Sequence, residues 1–133
     1  MDRHNESGRL WVGLGAVLGL GAVAMAAAAA HALAGRLEAG RLEAGQLAAV
    51  RGAVDIQAWH ALALLFAGLW VPRGGMLAHA AAACFAAGVI LFCAGVYAGA
   101  LGGLRLPLVA PAGGTVMVLG WALLAASSVF GRR

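Results

Sequence analysis

The chain has 133 residues, 63% of them hydrophobic and 11% charged, with a net charge of +4. A soluble domain is about a quarter charged, so a globule surrounded by water is not the expected form. The positive charge is all arginine and sits at the ends of apolar runs, not on one face, which argues for membrane flanking and against nucleic-acid binding.

Residues 10–35, 56–72, 74–104 and 106–131 carry no Asp, Glu, Lys or Arg. A hydrocarbon core is crossed by roughly 20 helical residues, so each run can cross once. The expected fold is all-α: a polytopic membrane protein with four transmembrane helices in one antiparallel bundle. Residues 1–9 are polar and read as a tail ahead of a transmembrane domain over 10–131.

Helix 1 is expected over about 10–33. Its apolar stretch exceeds the ~7–15 residues of a signal-peptide core, so it is read as a retained crossing. Gly15, Gly19, Ala22 and Ala26 recur at three and four residues, a spacing that lets helix backbones approach in lipid. The Gly13, Gly15 and Gly19 pattern is a loose match to a dinucleotide loop, but it lacks the strand before it and the acid after it.

Residues 35–45 hold the pentapeptide GRLEA twice, read as a duplication that lengthens a surface loop. Residues 46–55 place Leu47, Val50 and Val54 at i, i+3 and i+7, an interfacial amphipathic segment leading into helix 2. Helix 2 is expected over about 56–71 and stops at Pro72, Arg73, Gly74 and Gly75. Helix 3 is expected over about 77–100, with Gly88, Gly95 and Gly99 on one narrow stripe beside Cys84. Cys84 and Cys93 lie about 13 Å apart along that helix, too far to pair with each other. Helix 4 is expected over about 108–130, with Pro111 in its first turn and Gly113 and Gly114 following as packing positions. Trp11 and Trp70 suit membrane–water interfaces.

Four crossings put both termini on one face. Arg3, Arg9, Arg73, Arg132 and Arg133 fall there, against Arg36, Arg41, Arg51 and Arg105 on the other. The positive-inside rule then tilts slightly toward cytoplasmic termini.

Most polar groups within the apolar runs converge on the face away from the termini. His31 and His60 fall at matching depth in antiparallel helices, about 7 Å inside the first charged residue. Gln57 lies one turn from His60, and Tyr97 lies toward the same end. His31, Gln57, His60 and Tyr97 therefore form a candidate polar cluster. Three readings stay open: interhelical hydrogen bonding, a small-molecule, headgroup or proton site, and haem or metal ligation by the two imidazoles. Asp55 is the nearest acid, able to orient His60 or to cap the buried segment. His79, at the opposite end, is expected to reach headgroups, and His4 lies in the tail. No nucleophile–base–acid set stands out, so no catalytic, cofactor-binding or metal residue is assigned.

Four segments resemble the family called domain of unknown function 423, which groups small bacterial inner-membrane proteins with the eukaryotic transmembrane protein 256. They are His31-Ala32-Leu33, the stretch from Gln57 through Trp59 and His60 to Leu65, Gly88-Val89-Ile90-Leu91-Phe92 followed by Tyr97, and Pro111-Ala112-Gly113-Gly114 with Gly120-Trp121. Departures are Ile56 where the family has tyrosine, Cys93-Ala94-Gly95 where it has Ser-Gly-Ser, and alanines in place of Gly-Ala-Phe-Gly before His31. The resemblance implies a four-helix membrane protein without an established activity. The resulting expectation is a non-enzymatic helix-packing or accessory subunit in a bacterial inner membrane. Its partners would be the lipid bilayer and other subunits or further copies, without cofactor or nucleic acid. The rival expectation is a channel, carrier or ligand-binding protein using His31, His60 and Tyr97.

Overall fold

The computed structural model describes residues 3–131, with side chains from Glu6 onward. Arg132 and Arg133, counted above with the terminal face, lie outside the described residues, as do the side chains of Arg3 and His4. Helix α1 runs Arg3–Ala28, passes through a π-helical turn at Ala29–Leu33 and continues as α2, Ala34–Glu38. Helix α3 covers Ala44–Gly102 and α4 covers Val109–Phe130. Three helical stretches, Glu6–Glu38, Ala44–Gly102 and Val109–Phe130, are long and apolar enough to cross a membrane.

The described residues thus give three long helices where the sequence reading expects four. The segments expected separately at 46–55, 56–71 and 77–100 belong to one 59-residue element. The Pro/Gly cluster breaks it less than expected. Pro72 stays inside the helix, and only Gly75 leaves helical geometry, at φ 57 and ψ −139. A straight helix of that length would span about 88 Å. Instead α3 doubles back at Gly75, because residues of its second half meet residues of its first. Tyr97 reaches Gln57, Cys93 reaches the Ala53 carbonyl, and Phe85 packs on His60. This antiparallel hairpin is the centre of the molecule, and both α1 and α4 pack on it.

The duplicated pentapeptide is not a plain loop. Its first copy ends α2, where Gly40 takes the left-handed conformation (φ 67) that side-chain-bearing residues avoid. Its second copy starts α3. The Glu43 backbone N–H donates to Gln46 Oε1 at 2.8 Å, and the Glu43 side chain accepts from the Gln46 backbone, closing a capping box. Leu42 is buried with Leu33, Leu47 and Val50, so this connection belongs to the core. The polar tail is corrected in the same way: α1 is helical from Arg3, and Ser7 and Gly8 touch α3.

The core is built from small side chains. Ala63, Ala67, Ala81 and Ala82 surround Leu64 and Phe85 near the hairpin tip. Lipid tails are as apolar as leucine, so helices in lipid gain from close packing instead of from leaving water. Large apolar side chains point outward: Leu10, Leu20, Trp59, Leu69 and Val129 are all exposed.

Candidate functional site

Gln57 and His60 are three residues apart on α3, so they share one helix face. Both are buried. Gln57 Nε2 donates to the Leu18 carbonyl of α1 at 2.9 Å, and Gln57 Oε1 accepts from the Tyr97 hydroxyl at 2.9 Å. One amide therefore ties α1 to both halves of the hairpin. Gly21 makes this geometry possible, since a Cβ there would lie 2.8 Å from Gln57 Nε2.

His60 is held on both nitrogens. The Trp121 indole Nε1–H of α4 donates to His60 Nε2 at 3.2 Å, and His60 Nδ1 lies 2.8 Å from the Ile56 carbonyl. An indole N–H only donates and a carbonyl only accepts. In this pairing Nε2 accepts from the indole and Nδ1–H donates to the carbonyl, so each nitrogen of His60 is matched. Phe85 and Trp121 close around it, with ring centroids 5.8 and 6.0 Å from the imidazole and 5.0 Å from each other.

The structure thus brings Gln57, His60 and Tyr97 into one region but leaves His31 out. His31 is exposed within the π-helical turn, so the two imidazoles do not converge. Asp55 is exposed on the outer flank of α3 and does not orient His60, whose Nδ1 is already bonded to Ile56. Among the described residues, no group of three or more His, Cys, Asp or Glu is placed to hold a metal ion.

A second polar cluster lies at the terminal end. His79 is half-buried. Trp11 Nε1 donates to its Nδ1 at 3.0 Å, and its Nε2 lies 3.2 Å from Ser7 Oγ. Trp70 Nε1 donates to Ser127 Oγ at 3.1 Å, and the Ser127 hydroxyl donates in turn to the Leu124 carbonyl at 2.6 Å. The parts played by Trp11, Trp70, Trp121 and Ser127 were not read from the sequence. The available signal was chemical: an indole N–H inside lipid needs an acceptor, and the sequence offers few. Among the described residues, no buried side-chain nitrogen or oxygen lacks a hydrogen-bond partner.

The packing glycines fall into distinct settings. A Cβ on Gly88 would lie 2.6 Å from Met117 Cγ, and one on Gly113 2.6 Å from the Gly88 carbonyl oxygen. Gly95 faces the Ala110 nitrogen at 3.0 Å, and Gly15 the Ala61 carbonyl at 3.0 Å. Gly19 and Gly99 are looser, with nearest neighbours at 3.9 and 3.7 Å, and Gly114 has nothing within 4 Å.

Fold and site together define a class: a small all-helical protein with bilayer-length apolar helices and polar side chains spent on one another between helices. Residues 25–114 match the family described as Protein of unknown function (DUF423), and the chain belongs to that family. The matched span contains Gln57, His60, Tyr97 and the Gly88–Gly113 contact. No curated protein and no solved structure shows a match to the chain.

Proposed function

We propose that this protein is a non-enzymatic helix-packing or accessory subunit of a larger assembly in a bacterial inner membrane. In this reading the chain crosses four times, since α3 keeps more than the ~20 residues of a crossing on each side of Gly75. Both termini then lie on one side, with cytoplasmic placement slightly favoured by the arginines. The observation that carries the proposal is that the buried polar groups bond to one another and to backbone across the helices. Here Gln57 and Tyr97 use each other, and both nitrogens of His60 are engaged inside the bundle. Outward-facing surface includes large apolar and aromatic side chains such as Trp59, Phe66 and Trp121, suited to lipid and to neighbouring helices.

Blue-native electrophoresis of gently solubilised membranes tests this. The expected result is a band well above monomer mass. Gln57→Leu should keep that band while lowering thermal stability by about 1 kcal/mol, the worth of one or two interhelical hydrogen bonds. Migration at monomer mass alone would contradict the proposal.

A further inference from the structure

The seam between α1 and the first half of α3 contains two adjoining clefts, of about 300 and 270 Å³. They share Ala26 and Val54, so they form one trough. The larger part is apolar, with Gly19, Ala58 and Ala61 leaving room between Val23 and Leu62. It extends along α1 from Gly15 to Ala26, about 16 Å at helical rise, close to the ~15 Å depth of one leaflet. The smaller part lies at the end away from the termini and is lined by Arg51 and Asp55. Both charges are exposed and lie four residues apart on one flank of α3.

We infer that this trough holds a membrane phospholipid with a primary-amine headgroup, of the phosphatidylethanolamine type. The acyl chain lies in the apolar part, the phosphate meets Arg51 and the ammonium meets Asp55. The inference rests on the membrane placement proposed above. Arginine's planar fork suits a phosphate oxygen pair. A carboxylate one turn away then needs a cation that can donate hydrogen bonds, which a primary ammonium does and a quaternary one does not. A headgroup with only its phosphate charge would also meet Arg51 but would leave Asp55 without a cation. A helix from a protein partner would have to bury both charges at the cost of their hydration, whereas a headgroup at the bilayer surface leaves them partly in water.

The test is native mass spectrometry of the delipidated full-length protein in detergent, offered equal amounts of phosphatidylethanolamine, phosphatidylcholine and phosphatidylglycerol. The expected result is retention of the first about fivefold to tenfold over the other two, the size of one hydrogen bond at a site open to water. Asp55→Asn should erase the preference over phosphatidylcholine, and Arg51→Gln should reduce all three adducts. Ala26→Leu adds its side chain at an exposed position, leaning toward the α1 N-terminus over the apolar trough. It should displace every lipid with helicity unchanged. Equal retention of the three lipids by the unaltered protein would overturn the inference. So would a preference that survives both charge substitutions, or an Ala26→Leu protein that loses a dimer while keeping its lipid, which would make the trough a contact between copies. Because the protein is studied alone in detergent, failure here leaves the accessory-subunit reading intact, and a monomeric band in native gels leaves the lipid site intact.

Discussion

Replacing Gly113 with alanine is expected to destabilise the protein by about 2 kcal/mol, while Gly114→Ala, one residue on, is expected to be neutral or mildly stabilising. Both glycines lie in α4, and both would gain helix propensity as alanine, worth up to about 1 kcal/mol. They differ in what the new methyl meets. At Gly113 it would lie 2.6 Å from the Gly88 carbonyl oxygen and 2.9 Å from Phe92 Cα. These are backbone atoms of the neighbouring helix half and have no rotamer to turn aside, so α4 itself must move outward. That shift would pull on Met117, which is buried against Val89 and Cys93, and on the Trp121–His60 bond one turn further along. At Gly114 the methyl enters open space. Thermal unfolding of the two variants in the same detergent checks this. Equal effects at the two positions would mean that α4 does not pack on α3 through Gly113.

Gly75→Ala is expected to cost about 1–3 kcal/mol, the penalty for holding a residue with a Cβ in a sparsely allowed region. At φ 57 and ψ −139 the chain uses a conformation open to glycine. An alanine there has two choices. It can keep the reversal and carry the strain. Alternatively, it can turn helical, straightening α3 and separating Tyr97 from Gln57 and Phe85 from His60. Either way the unfolding midpoint should fall, and the second route would also expose the hairpin faces and favour exchange between copies. An unfolding midpoint matching that of the unaltered protein would show that the reversal does not depend on this residue's backbone freedom.

The sequence made the apolar architecture legible because bilayer thickness sets a length that can be counted along the chain. It also made Gln57, His60 and Tyr97 legible as neighbours. Two of them share a helix face by spacing, and depth in antiparallel helices places the third nearby. His31 failed the same reasoning. The π-helical turn at Ala29–Leu33 winds more residues per turn than an α-helix, so faces counted along α1 no longer apply at His31. The pairings of Trp121 with His60 and of Trp11 with His79 join different helices, and no local pattern encodes which helices are adjacent. The twin GRLEA copies make the same point, because one pentapeptide ends a helix and its repeat starts the next. The difference comes from their neighbours, chiefly Gln46 completing the capping box. Pro72 read as a stop, yet the helix runs through it to Gly74, and glycine geometry at a single position makes the turn.

The most direct test of the account is the sidedness of single cysteines in sealed membrane vesicles, in a background with Cys84 and Cys93 replaced by alanine. Glu6, Met76, Arg41 and Leu104 are all exposed and would each be changed to cysteine in turn, then treated with a maleimide that cannot cross the bilayer. The account predicts that Glu6→Cys and Met76→Cys label from one side and Arg41→Cys and Leu104→Cys from the other. Labelling of Met76→Cys and Arg41→Cys from the same side would contradict it.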